Sequence, residues 1–268
     1  MRWRAVRKTG NSSVDVTAVC AGSVLMKRIN EGPRPGVVLL QQFARMGQAL
    51  SSPARLAMVG LLAHGPKTVD RLAKSTGQSL ASASAHLKVL RGACLVTSER
   101  RGRQVNCRLA GDDVIELWLA LRSAGEALLP EAREVVRQFA EDPSALSALT
   151  PGELAVELAG GRVTLLDLRP ADEFETFHLP GALNLPYEQI ASLNELRLDL
   201  PAGRPVYAYC RGPYCVMALE GTRKLRALGV PATRLGFSAP EWIAATNRRR
   251  AKIDRSLSVS KNQPRSSP

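Results

Sequence analysis

The chain has 268 residues, 45% of them hydrophobic and 23% charged, which is enough for two modest domains with packed cores and too apolar for a wholly disordered polymer. No apolar run reaches the ~20 residues of a membrane-spanning helix, and five cysteines, odd in number and without framework spacing, argue for a reducing, cytoplasmic setting over a disulfide scaffold. The net charge of +13 is uneven: residues 37–110 carry 11 basic and 2 acidic groups, which points to a polyanion partner.

Residues 1–36 show no sustained period and end in Glu31-Gly32-Pro33-Arg34-Pro35-Gly36, so a disordered basic extension is expected there. Val37 to Leu50 reads as a first helix. A second runs from Pro53, a favoured first helical residue, to about His64, where Gly65-Pro66 stops it. Thr68 to Ser75 forms a short third helix closed by Gly77, and Ser79 to Arg91 a fourth, capped at Ser79. Leu95 to Arg100 and Gln104 to Leu109 are expected as two strands around Arg101-Gly102, a hairpin signal. Asp112 to Leu128 reads as a long helix, and Pro130 to Phe139 as another inside a helical linker over residues 129–147. From Pro151 the pattern alternates: Val163 to Leu168 and Val206 to Tyr209 are short apolar runs suited to buried parallel strands, and Val216 to Leu228 is helical with Gly229 as its stop. Residues 248–268, opened by Arg248-Arg249-Arg250, form a basic tail with nothing to bury. The expected fold class is therefore two domains: a mainly-α winged helix-turn-helix over 37–128, then an α/β domain with a parallel sheet over 148–247.

In the fourth helix Leu80, Ala83, Leu87 and Leu90 share a face at three-four spacing and should pack inward. Ser79, Ser82, Ala85, His86 and Lys88 are left to face a major groove, where small hydroxyls allow close approach and Ala85 can touch a thymine methyl. Arg100, Arg101 and Arg103 crowd the hairpin tip and suit phosphate contact. The run Ser84-Ala85-His86-Leu87-Lys88-Val89-Leu90-Arg91, with Leu95-Val96 and Gly102-Arg103-Gln104-Val105, resembles the recognition helix and wing of ArsR-type regulators. The resemblance implies a homodimeric repressor on a double-stranded DNA operator, with the first helix and the Asp112–Leu128 helix at the dimer interface.

Many members of that family sense metals through a cysteine motif on the helix before the recognition helix. The corresponding stretch, Thr68-Val69-Asp70-Arg71-Leu72-Ala73-Lys74, has no cysteine, and the chain has three histidines, so no metal site and no cofactor is expected. A turn at Arg101-Gly102 would set Cys107 opposite Val96 and make Cys94 its diagonal neighbour, leaving two readings: a redox pair, or two small buried hydrophobes.

Tyr209-Cys210-Arg211-Gly212-Pro213-Tyr214-Cys215-Val216 lies where a buried strand ends and a helix begins, the favoured place for chemistry in an open α/β sheet. Helix N–H groups would depress the pKa of Cys210 and stabilise a persulfide on it. Arg211 would attract an anion and Gly212 would let the backbone curl. A cysteine phosphatase is disfavoured because no arginine closes the loop. Leu165-Leu166-Asp167-Leu168-Arg169, Glu173-Phe174, His178-Leu179-Pro180-Gly181-Ala182 and Leu235-Gly236-Phe237-Ser238-Ala239-Pro240-Glu241-Trp242 resemble, in order, blocks of a rhodanese domain. The resemblance implies that Cys210 is the persulfide-forming nucleophile, that Asp167 and Arg169 order the site, and that the partner is a sulfane-sulfur donor: thiosulfate, polysulfide or persulfide. Cys215 stands where active rhodaneses often carry a basic residue, which weakens thiosulfate as donor and offers a resolving thiol. Two functions stay open: a sulfur-responsive transcriptional regulator, or a sulfurtransferase enzyme whose winged domain is a targeting or dimerisation module. A metal-responsive repressor is a third, weakened by the missing cysteines.

Overall fold

The computed structural model describes residues 35–139, 146–191, 200–201 and 203–245. The expected tail over 248–268, and the extension over 1–36 apart from Pro35 and Gly36, lie outside the described residues. The chain divides into two compact units, the first ending at Gln48 and the second beginning at Ala49. Helix α1 (Pro35–Leu50) starts two residues before the expected boundary and exposes Val37, Leu39, Leu40 and Phe43.

The second unit opens with α2 (Pro53–Leu62), the two-residue strand β1 (Lys67–Thr68), α3 (Val69–Ser75) and α4 (Leu80–Gly92). Both α3 and α4 begin where a hydroxyl satisfies an orphan N–H: Thr68 accepts from the Arg71 N–H at 3.2 Å and Ser79 from that of Ser82 at 3.1 Å. Ala83, Leu87 and Leu90 of α4 are buried as expected, whereas Leu80 is 52% exposed, which corrects the sequence reading. Side chains lean toward the helix N-terminus, so a first-turn residue on the right face still points past the end of the core.

Strands β2 (Val96–Arg101) and β3 (Gln104–Leu109) form the wing, with Arg101 paired to Gln104 and a two-residue Gly102-Arg103 loop. Gly102, at φ 60°, supplies the left-handed residue that such a loop requires. The turn therefore falls one residue later than expected at each position, and Cys107 faces Ser98, not Val96. Cys94, exposed at φ 58°, is not its diagonal neighbour, so the redox-pair geometry is corrected. Strand β1 adds to β3, with Lys67 opposite Cys107, giving the order β1-β3-β2. Helices α5 (Asp112–Leu128) and α6 (Pro130–Phe139) have the bounds read from sequence, and α5 exposes Leu117, Leu121 and Leu128.

The rest is a five-stranded parallel sheet in the order β4-β8-β7-β5-β6. Its strands are β4 (Leu146–Ser147), β5 (Thr164–Asp167), β6 (Leu183–Asn184), β7 (Val206–Tyr209) and β8 (Ala232–Leu235). Helices α7 (Pro151–Ala159), α8 (Ala171–Thr176), α9 (Tyr187–Ala191) and α10 (Val216–Ala227) connect them. Alternation along β5 sends Leu165 into one core, with Leu154, Leu179 and Tyr209, and Leu166 into the other, with Ile190, Ala208 and Leu225. Strand β4 lies inside the range read as linker; two residues are too few to carry a period.

Candidate functional site

The loop 210–215 leaves the carboxyl end of β7, next to β5 in the middle of the sheet, and runs into α10. Gly212 turns it at φ 119°, a conformation that would strain any side chain. A Cβ there would point at the Arg122 guanidinium, the Ser238 hydroxyl and the Glu241 carboxylate, all within 4 Å. Cys210, Arg211, Gly212 and Cys215 are thus gathered in one turn, as expected. Cys210 is 1% exposed, and Cys215 is half-buried at the N-cap of α10.

A side-chain hydrogen bond between the two thiols lowers the pKa of Cys215 and raises that of Cys210. The hydrogen bond from Cys210, helped by the Arg211 and Ala218 N–H groups and the Arg211 charge, outweighs burial and brings Cys215 down to about 6. The same bond, together with burial, pushes Cys210 far up. These directions run opposite to the expectation that placed the depressed pKa on Cys210. It lies below the helix end, whereas Cys215 occupies it.

Asp167 and Arg169 are paired in full burial at the end of β5. The Asp167 carboxylate accepts from the Arg169 N–H and Nε at 2.9 Å each, and Arg169 also donates to the Phe177 carbonyl at 2.7 Å. They brace the floor of the site and do not touch the thiols by any described hydrogen bond. His178 donates from Nδ1 to the Phe174 carbonyl at 2.8 Å and stacks on the Phe174 ring, which fixes the turn.

Arg211, read from sequence as an anion lure, is instead gripped by Glu173 through two hydrogen bonds of 2.7 and 3.0 Å. Glu173 is buried and also meets Lys67 of β1 at 3.4 Å. Burial raises its pKa, but Arg211, Lys67 and His64 prevail and hold it at about 2. One carboxylate thus joins the cysteine loop to the winged half of the unit. His64, at the end of α2, adds a second link: its Nε2 lies 3.1 Å from the Arg211 carbonyl, which can only accept, so Nε2 carries the hydrogen. Nδ1 is then a bare acceptor, and it is buried with no partner among the described residues. Burial, with the charges of Arg169, Lys67 and Arg211 opposing Glu173, holds His64 down to about 3, so it is neutral. A third link is Arg122 of α5, 2.7 Å from Glu241 and 3.2 Å from Glu126. Gly65 lies so close to α8 that a Cβ would come within 2.6 Å of Thr176. The sequence reading assigned no role to His64, Lys67, Arg122 or Glu241. His64 and its partner stand 147 residues apart, and no local pattern marks such a pair.

The residues read from sequence as facing DNA sit apart from this site. Ser79, Ala85 and Lys88 of α4 are exposed, Ser82 and His86 half-buried, and Arg100, Arg101 and Arg103 exposed on the wing. Ser79 is occupied as the helix cap, Ser82 donates to Gln78 at 2.9 Å, and Arg101 pairs with Glu99 at 3.2 Å, leaving Ala85, His86, Lys88 and Arg103 unengaged in any described bond of that kind.

No helix among the described residues is long and apolar enough to cross a membrane. The Rhodanese-like domain family matches residues 150–244 and the Helix-turn-helix domain family residues 50–99. The chain is 37% identical over 204 residues to the HTH-type transcriptional regulator Rv0324 of Mycobacterium tuberculosis, covering 76% of this chain and 88% of that protein. It is 36% identical over 70 residues to the Adenylyltransferase and sulfurtransferase UBA4 of Meyerozyma guilliermondii, covering 24% of this chain and 16% of that protein. A solved structure, the homodimeric winged helix-turn-helix DNA-binding domain Mb0332 from Mycobacterium bovis, is 34% identical, with 38% of this chain and 95% of that one covered at a TM-score of 0.36. With a helix-turn-helix and wing ahead of a parallel sheet bearing the cysteine loop, and similarity over 76% of the chain to a transcriptional regulator, the chain belongs to the ArsR-type helix-turn-helix regulators that carry a C-terminal rhodanese-like domain.

Proposed function

We propose that the protein is a homodimeric repressor whose operator affinity is set by the sulfur state of the Cys210–Cys215 loop. Residues 37–128 bind DNA and dimerise, 148–247 handle sulfane sulfur, and 129–147 join them; the basic segments 1–36 and 248–268 add sequence-independent attraction to DNA. On the recognition helix Ser79, Ser82, Ala85, His86 and Lys88 face the major groove, and Arg100, Arg101 and Arg103 meet phosphates. Asp167 and Arg169 order the site from beneath, Gly212 shapes the loop, and the sulfur rests on the cysteine pair as a persulfide supplied by thiosulfate, polysulfide or another persulfide.

The observation that carries this reading is Glu173, one buried carboxylate held by both Arg211 of the loop and Lys67 of β1. A persulfide adds a sulfur atom and redistributes the charge beside Arg211, and any pull on that guanidinium changes what Glu173 offers Lys67. Strand β1 precedes α3 directly, so a shift there reaches the helix-turn-helix. A ligand state shifts an equilibrium only through such differential contacts.

The test is to treat the purified chain with polysulfide, weigh it intact, and titrate its operator before and after. A gain of about 32 Da, one sulfur atom on the cysteine oxidation ladder, with weakened operator binding supports the reading. Equal affinity in both states removes the switch and leaves a sulfurtransferase carried by a DNA-binding protein.

A further inference from the structure

A cavity of about 250 Å³ lies between the winged half and the cysteine loop, lined by Cys215, His64, Trp118, Arg122 and Leu61 among others. Cys210 is not among its walls. We propose that Cys215, not Cys210, first takes up the sulfur, from a low-mass organic persulfide bound in this cavity. The proposal rests on the reading that the loop handles sulfane sulfur, and names which thiol and which donor class.

Access comes first. Cys210 is 1% exposed, while Cys215 is half-buried and opens onto the cavity. The volume is below the usual ~300–1,000 Å³ of drug-sized sites, so the donor is small. Charge comes next. Arg211 is held by Glu173, and Arg122 by Glu241 and Glu126, so each of these cations at the cavity already faces a carboxylate. A thiosulfate dianion would be brought beside the Cys215 thiolate with no unneutralised arginine among those two to meet it. A hydropersulfide R–S–SH fits better. Its stem can lie against Trp118 and Leu61, which line the cavity beside Cys215. The winged half of the molecule thereby supplies part of the donor site.

The step balances without an added oxidant. The Cys215 thiolate attacks the terminal sulfur of R–S–SH; a bond from Sγ to that sulfur forms, the donor's S–S bond breaks, and its electron pair leaves as R–S⁻. The proton stays on the transferred sulfur, giving Cys215–S–SH.

The experiment uses the full chain with the persulfide of 2-mercaptoethanol and, separately, thiosulfate, followed by intact mass and peptide mapping after alkylation. Expected are a gain of about 32 Da from the organic persulfide that persists in Cys210→Ser, maps to Cys215 and is lost in Cys215→Ser, and little gain from thiosulfate. Because a serine could disturb the loop, Ala57→Leu provides a second probe: it fills the cavity from the exposed wall of α2. That variant should slow uptake from the organic persulfide about ten-fold or more, the scale of added methylenes in a tight pocket. Sulfur mapping to Cys210 and surviving in Cys215→Ser, or undiminished uptake in Ala57→Leu, or thiosulfate as the faster donor, overturns the inference while sulfur handling stands. No gain from any donor, polysulfide included, in the wild-type chain overturns the underlying reading instead.

Discussion

His64 shows how much one side chain can be asked to do once it is buried against another part of the fold. Its ordinary value is 6.5, and in the folded chain it falls to about 3. Below pH 6.5 the unfolded chain binds a proton that the folded one refuses, so stability rises with pH across this window and is lost as pH falls toward 3. Glu173 contributes in the same direction, but only below its ordinary 4.5 and down to about 2. Between pH 6 and 4.5, then, the fall should belong chiefly to His64, at a slope of at most about 1.4 kcal/mol per pH unit. Urea midpoints measured across that window should decline for the wild type and much less for His64→Gln. Equal declines would mean that the imidazole is not held neutral at the junction.

At the scale of elements, the proposed function divides DNA contacts between the wing and the recognition helix by chemistry. Arg103 stands in the two-residue loop and Arg101 next to it, both exposed, but Arg101 shares its charge with Glu99 at 3.2 Å. Exposed pairs of this kind are weak and screened, so phosphate can still compete for Arg101. Replacing Arg101 and Arg103 by Ala should weaken binding to every duplex alike and lower the log-log salt slope by about 1 to 2, near 0.9 for each phosphate no longer neutralised. Lys88→Ala on α4 tests the other half of the division, because removing a groove-facing side chain should change the ranking of sequences. Anisotropy titrations over a salt series report both, and an unchanged slope in the wing variant would remove the wing from the interface.

For the whole molecule, the question is whether sulfur chemistry and DNA binding share one equilibrium. Lys67 offers a clean cut. Lys67→Met keeps an unbranched stem in the buried site while removing the charge that Glu173 shares with Arg211, so the loop retains its own ion pair. Operator binding and sulfur uptake should both survive, and the dependence of one on the other should shrink toward none. Reciprocity adds a second measurement: if sulfur weakens operator binding by some factor, operator must weaken sulfur binding by the same factor, and both effects should vanish together in the variant. A Lys67→Met chain that still responds fully to sulfur would place the coupling elsewhere, with the Arg122–Glu241 pair the next candidate.

Sequence was sufficient wherever the signal was local. The helices from Pro53 to Leu128 follow from hydroxyl caps, proline starts and three-four apolar spacing, and the cysteine loop from its place between an apolar strand and a helix. It misled where an end effect intervened, at Leu80, and where the turn had two equally good settings around Gly102. Which of two cysteines has the lowered pKa could not be read from spacing. It depends on which thiol reaches the helix end and which is sealed beneath it, and the order Cys210 before Cys215 says nothing of that. The links that His64, Lys67 and Arg122 make to the sheet-bearing half belong to the tertiary structure alone. Each joins residues more than a hundred positions apart, and an isolated His, Lys or Arg has no periodicity to betray its partner; only packing one half of the molecule against the other brings their charges together.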